Sequence, residues 1–343
     1  MKTGGILVGI EHEFFLFHSN GEAPSYDTAD AVFQRLFELL GGEFIASSTG
    51  HIYGLEYQTE FGSLSLKHEA STHILEIAFP PVQNPAAFCC LYDGVFFALN
   101  EAISLVGLHV VAGGMIAQLP RLSFPSVARD DLPRIKRRNI WRDLQDTGDP
   151  LFVVDFPATI CSTQVNLSVP DGVLIPRLAR YYAMEYLTPL LFSTSEIRRP
   201  IVAHCARLLR YDACMPGAFR IIPEQISPAT ETYTLGMRDY SAIVPKGAFV
   251  EFRAGCSQHS SSRILDLAVL KLLQHVFAMR DFPITPRSPA KLFKEVCRTG
   301  SPPEEFFEDI EILETCLSDL PHEWRECAEG FLKFRQEFRP RKA

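Results

Sequence analysis

Residues 6–17 read Ile-Leu-Val-Gly-Ile-Glu-His-Glu-Phe-Phe-Leu-Phe, which sets two carboxylates, Glu11 and Glu13, inside an otherwise strongly apolar run. Branched and aromatic residues at this density specify an extended strand, which we place over residues 4–17. Residues two apart on a strand point to one face, about 6.5–7 Å from each other. A strand of this kind needs a sheet with two unlike faces. One face is apolar, and on the other the ionised groups are solvated, paired or bound to a cation.

The same pattern returns three times. Gln164 and Asn166 alternate within residues 162–169, Glu251 and Arg253 alternate within residues 248–255, and a lone Glu76 interrupts residues 74–79. A single antiparallel strand with one wet face would explain any one of these. Four strands sharing the pattern point to a common polar face. If the strands lie in one sheet, Glu11, Glu13, Glu76 and Glu251 converge, and such a cluster repels itself unless a cation neutralises it. Ligation by oxygen alone favours Mg²⁺ or Mn²⁺, and Mg²⁺ characteristically joins protein carboxylates to substrate phosphates.

Between these strands the periodicity is helical. Val32, Phe33, Leu36, Phe37 and Leu40 recur at three- and four-residue spacing and predict a helix over 30–40 that Gly41-Gly42 stops. A strand over 73–79 is expected to end at Pro80-Pro81, after which Asn84-Pro85 caps a long helix to about residue 106. Strands follow at 108–116, 163–169 and 248–254, with helices at 174–192 and 263–279 and proline-containing loops at 216–228. Past a proline-rich stretch at 283–289 the chain turns charged and helical, with short helices near 304–317 and 323–337. The expected architecture is α+β, with a large, mostly antiparallel, curved sheet and helices packed on its outer face. We expect one catalytic domain over 1–285 and a helical appendage, packed on the same domain, over 286–343.

Composition excludes several function classes. The net charge of −8 leaves no global basic field for nucleic acid, and the one basic run, at 134–138, reads as a solvated loop or helix face, with contact to a phosphate as the alternative. Nine cysteines, an odd number without C-x-x-C spacing, read as buried free thiols in a reducing compartment. With no signal peptide and no uninterrupted run of some eighteen apolar residues, the expectation is a cytoplasmic protein away from membranes. Neither a P-loop nor a dinucleotide fingerprint is present, and Ser71 and Ser195 lack a nucleophile-elbow context. Gly4-Gly5 and Gly113-Gly114 read as turn residues.

Taken in order, the strand motifs resemble those of glutamate–cysteine ligase family 2, within the glutamine-synthetase-like superfamily. Gly9-x-Glu11-x-Glu13 matches a G-x-E-x-E strand, Leu75-Glu76-Ile77 an L-E-L strand, and Val250-Glu251-Phe252-Arg253 a V-E-V-R strand before a long apolar helix. Gly113-Gly114 falls near the family's glycine-containing strand end, and the resemblance covers residues 5–280. It implies an ATP- and Mg²⁺- (or Mn²⁺-) dependent carboxylate–amine ligase working through an acyl phosphate on small-molecule carboxylate and amine substrates, and it leaves room for a homo-oligomer. Glu11, Glu13, Glu76 and Glu251 would hold the divalent ions, and Arg253 would offset charge on the transferring phosphoryl group. Arg210, with Arg207 as a competitor, would bind phosphate or substrate carboxylate.

The chain also departs from that pattern. Gln164 and Asn166 stand where the family has two histidines, and would contact metal or nucleotide through their amides. Thr72 and Cys256 stand where acidic residues are expected, and Arg238-Asp239-Tyr240 is the nearest match to a W-D-x-R-P segment. Two other readings remain open at this level. One is a guanidino-type small-molecule kinase, and the other a non-catalytic, degenerate family member that binds nucleotide or nothing and acts as a scaffold.

Overall fold

A computed structural model describes residues 5–46, 50–69, 71–117, 151, 156–170, 174–198, 202–214, 242–280, 282 and 289–333. The basic run at 134–138, the loops at 216–228 and the segment at 238–240 lie outside the described residues.

Strand β1 (Val8–His18) is the spine of the molecule. Its first half pairs with β5 (Ile74–Val82) on one side and β7 (Thr163–Ser168) on the other, and its last four residues pair with β6 (Leu108–Val111). Outward from β5 lie β4 (Gly62–His68), β3 (Ile52–Thr59) and β2 (Glu43–Ala46); outward from β7 lie β9 (Phe249–Phe252) and β8 (Ile243–Lys246). All pairings are antiparallel, and the sheet runs β2-β3-β4-β5-β1-β7-β9-β8 without closing. This is the expected α+β class with a large antiparallel sheet.

The alternation in the sequence becomes the two faces of this sheet. Ile10, Phe14, Leu64, Leu66, Leu75, Ile77, Val165, Leu167, Val250 and Phe252 point to one face and are buried. That face is covered by α1 (Tyr26–Leu40), α2 (Pro85–Leu105), α3 (Leu174–Ala183) and α6 (Ser261–Met279). Capping fixes where three of these begin. The side chains of Ser25, Asn84 and Ser260 accept hydrogen bonds from the backbone N–H groups of Thr28, Ala87 and Arg263. Gly41 ends α1 at φ 72°, in the left-handed region where glycine is favoured. By length and composition α2 is apolar enough to cross a membrane (mean hydropathy 1.4), although Asp93 and Glu101 interrupt it. Here it is a core helix, with Phe88, Val95, Leu99 and Ala102 buried.

Four expectations are corrected. Pro80-Pro81 does not end β5, which runs on to Val82; a register shift between Val8 and Ile10 lets two residues that lack N–H donors sit in the strand. The strand expected over 108–116 ends at Val111, and Gly114 beyond it is a site of close approach. A Cβ on Gly114 would lie 2.6 Å from the Cys256 sulfur. The helix expected over 174–192 is two, α3 and α4 (Leu187–Phe192), with Pro189 tolerated in the first turn of α4. At that break Glu185 is fully buried, and Lys271 of α6 donates to it at 2.8 and 2.9 Å. Finally, α5 (Ala206–Cys214) and α7 (Pro289–Thr299) add to the predicted helices. All nine cysteines are free thiols.

The C-terminal helices α8 (Phe306–Thr315) and α9 (His322–Leu332) bury Phe306, Ile310, Trp324 and Phe331 in the same apolar cluster as the sheet. Trp324 is fully buried, and its indole N–H donates to the Gln83 carbonyl at 2.7 Å, directly before α2. Trp324→Ala removes a buried indole and leaves that carbonyl without its donor, so we predict a loss of about 3–5 kcal/mol in urea-denaturation stability. A change below about 1 kcal/mol would show that α9 is not part of the cooperative unit.

Candidate active site

The second face of the sheet carries the charged alternation. Glu13 stands directly opposite Glu76 on β5, and Lys67 on β4 stands opposite Glu76 in turn. One step along β1, Glu11 lies opposite Gln164; on the next strand pair Asn166 lies opposite Glu251. Arg253 follows Glu251 by two residues and shares its face. The structure thus brings Glu11, Glu13, Glu76, Glu251, Gln164, Asn166 and Arg253 onto one surface. Farther along β1 the same face becomes apolar. Phe15 and Phe17 are buried there with Ile74 and Cys161, which closes one end of the surface.

His12, between the two glutamates, points to the apolar face. It lies among Phe14, Tyr92 and Phe96, and its Nδ1 is 3.0 Å from the Thr163 hydroxyl. Burial, with a smaller contribution from His259, lowers its pKa to about 3, so it is a neutral core residue.

Each glutamate is held by groups of this chain. The Ser162 backbone N–H and the Gln164 amide donate to Glu13 at 2.7 and 3.1 Å, and the Asn166 amide donates to Glu11 at 3.2 Å. Both Lys246 and Arg253 donate to the fully buried Glu251, and the Lys246 ammonium is 4.0 Å from Glu11. Lys67 lies 2.7 Å from a Glu76 oxygen and 3.7 Å from Glu69. Arg207 of α5 donates to the carbonyls of Arg253, Ala254 and Gly255 at 3.0, 2.6 and 3.0 Å, which fixes the backbone that leaves β9. Arg210 does not join this cluster through any described bond. Its guanidinium donates to the Ile116 carbonyl at 3.0 Å and the Thr159 hydroxyl at 2.7 Å.

Sequence reasoning missed Glu69, Lys67 and Lys246. Glu69 follows β4 directly, and the alternation of Leu64 and Leu66 with Lys67 was a readable strand signal. Lys246 sits at a Pro-Lys-Gly turn, which carries no signal of its own.

The electrostatics reflect crowding of like charges. Burial, and then repulsion from Glu76, raises Glu13 to a pKa of about 7, against the Ser162 hydrogen bond and the charge of Arg207. Glu69 is also raised to about 7, by burial with added repulsion from Glu13 and Glu11, while Lys67 opposes the rise. Glu76 is pushed well above the usual carboxylate range by burial and by Glu69.

Oxygen-only donors under mutual repulsion suit a hard divalent cation in their chemistry. Their arrangement is another matter. Among the described residues, no group of three or more His, Cys, Asp or Glu side chains is arranged to hold a metal ion. The ammonium and guanidinium groups of Lys67, Lys246 and Arg253 engage Glu76 and Glu251 instead.

A carboxyl whose pKa is raised in the folded state contributes stability that is fully present below its unfolded value and is lost as pH rises through the folded value. For Glu13 that window runs from 4.5 to about 7. Glu13→Gln removes the charge and keeps the shape. The variant is therefore expected to match wild type in metal-free thermal or urea unfolding near pH 4.5. At pH 8 it should exceed wild type by on the order of 2 kcal/mol. A difference between the two proteins that does not change with pH would refute the assignment.

Comparison with known proteins follows the same lines. A family model described as glutamate–cysteine ligase family 2 matches residues 7–195, more than half of the chain. No curated protein matches it. Among solved structures, glutamate–cysteine ligase from Francisella tularensis in complex with AMP is similar, with a TM-score of 0.61 at 14% identity over 98% of this chain and 83% of that one. The complex between prokaryotic ubiquitin-like protein Pup and its ligase PafA matches at a TM-score of 0.52 and 12% identity, over 97% of this chain and 64% of that one. At these identities the likeness is one of fold. Residues 7–195 include Glu11, Glu13, Glu76, Gln164 and Asn166, and on that match the chain belongs to glutamate–cysteine ligase family 2, a family of carboxylate–amine ligases.

Proposed function

We propose that this chain uses ATP and Mg²⁺ or Mn²⁺ to join a small-molecule carboxylate to an amine, through an acyl phosphate. One observation carries the reading. The family's acidic strand positions, Glu11, Glu13, Glu76 and Glu251, share one face of an open sheet, with Glu69 beside them. Family membership supplies the reaction class, and the Francisella tularensis ligase, whose structure holds AMP, lends support to nucleotide use.

In this reading Glu11, Glu13 and Glu251 would supply oxygen ligands for a divalent ion that neutralises phosphate charge, with Glu69 and Glu76 beside them on the same face. The amides of Gln164 and Asn166 orient Glu13 and Glu11 for that task, in the manner of groups that position metal ligands. Arg253, beside Glu251, faces the developing charge on the transferred phosphoryl group. Arg207 holds the backbone of residues 253–255 and so sets where Arg253 points. Arg210, tied to Ile116 and Thr159, is assigned to bracing this part of the fold. Chemically, an oxygen of the substrate carboxylate attacks the γ-phosphorus and ADP leaves. The amine nitrogen then attacks the acyl carbon, phosphate leaves, and the amine gives up a proton. The buried aromatic end of the surface, Phe15 and Phe17, keeps water from one side of an acyl phosphate that hydrolysis would waste.

A second reading has one observation in its favour. The chain's own cations already engage Glu76 and Glu251, as they would in a scaffold without turnover.

A screen for ADP release with amino acids and amines in Mg²⁺ separates these readings. The ligase reading predicts ADP release that requires both a carboxylate and an amine and yields a new amide. Release without an amine would indicate a kinase, and none with any pair would leave the scaffold. Once an active pair is found, Arg253→Ala is expected to lower kcat by about 10²–10³ with little change in nucleotide affinity, as for loss of a charge-stabilising donor. Equal losses in kcat and in binding would remove Arg253 from that role.

A further inference from the structure

Five carboxylates and two lysines share the polar face, and the lysines are placed differently. Lys67 is set by sheet register. It lies opposite Glu76 on the neighbouring strand, with its ammonium 2.7 Å from Glu76 and 3.7 Å from Glu69. On its other side it faces Gly54 of β3, where a Cβ would come within 2.9 Å of the Lys67 Cβ and 2.5 Å of the Leu66 carbonyl oxygen. A glycine there lets the β3 backbone close on the base of the lysine, and the side chain is 25% exposed against 43% for Lys246. Lys246 lies at the end of β8, next to Gly247 at φ 59°. An exposed lysine beside a turn can swing into water.

Resting on the divalent-cation reading above, we infer that Lys67 is a resident counter-ion which takes the place of one divalent cation at the Glu69–Glu76 end of the polar face. A metal ion bound to those two carboxylates would have to approach the ammonium to within a few ångströms, and the two positive charges repel each other at that distance. The lysine cannot withdraw without abandoning a buried Glu76 that sits between Glu13 and Glu69. Divalent ions are therefore confined to the Glu11, Glu13 and Glu251 end, where Arg253 and Lys246 both engage Glu251 and the more exposed Lys246 can swing away to admit metal. Lys67 is a positioning residue in this account. It restricts where metal, and with it phosphate, settles.

Counting Mn²⁺ tests this without turnover. Wild type, Lys67→Met and Lys67→Arg are each titrated with Mn²⁺ in the presence of a non-hydrolysable ATP analogue, and free Mn²⁺ is read by electron paramagnetic resonance. The inference predicts that Lys67→Met binds one Mn²⁺ more per chain than wild type, whereas Lys67→Arg, which keeps the charge, matches wild type. Equal, non-zero counts in all three would overturn the role of Lys67 while leaving the metal site intact. Zero counts in all three would overturn the metal site itself, and Lys67's role with it. Should Lys67→Met fail to fold, amine acetylation of wild type followed by peptide mass spectrometry decides the matter. Lys67 should remain protected when Mn²⁺ and the analogue are bound while Lys246 gains label, and labelling of Lys67 on loading would overturn the inference.

Discussion

Glu13 and Glu76 face each other across paired strands, and much of this molecule follows from that repulsion. Two carboxylates directly opposite in an antiparallel ladder destabilise the sheet. The pairing persists because the opposite face of the same strands buries Ile10, Phe14, Leu75 and Ile77, which fixes the register: a shift of one residue would turn those apolar side chains toward the polar side. The apolar core therefore forces the carboxylates together. Protonation raised toward neutrality, ion pairs to Lys67, Lys246 and Arg253, and hydrogen bonds from Ser162, Gln164 and Asn166 all answer the same crowding. Crowding of this kind costs stability, and proteins commonly give up stability at functional sites.

Much of this was legible in the sequence because strand alternation is a strict code. Spacing of two within apolar runs pairs Glu11 with Glu13, Gln164 with Asn166 and Glu251 with Arg253, while Glu76 stands alone in its strand. The register places all of these strands in one sheet and these side chains on one face. The long helices α1, α2 and α6 were equally plain, since helical periodicity and a capping side chain coincide at each. What spacing could not convey was the pairing of distant strands. The run Gly-Ser-Leu-Ser-Leu-Lys-His of β4 alternates as clearly as any other. Its part in the site appears only when Lys67 is seen opposite Glu76, with Glu69 just beyond.

Two departures from the family pattern acquire physical meaning in the fold. Amides at 164 and 166, in place of imidazoles, donate to Glu13 and Glu11 and carry no charge at any working pH, so they orient carboxylates without competing for protons. Cys256, where an acidic residue is expected, packs against Gly114 so closely that a Cβ there could not be accommodated. It is also close to Ser195 and Cys205, with its sulfur 3.5 Å from the Ser195 hydroxyl. An ionised aspartate in that buried setting would be costly, and the thiol there packs instead.

The central claim is that the polar face of the open sheet holds a divalent cation together with the phosphates of a nucleotide. A crystal grown with Mn²⁺ and a non-hydrolysable ATP analogue, measured at the manganese absorption edge, tests it most directly. The account predicts anomalous density within coordination distance of Glu13 and at least one of Glu11 and Glu251, shared with the phosphate oxygens. Nucleotide bound elsewhere on the chain, or manganese density away from these side chains, would contradict it.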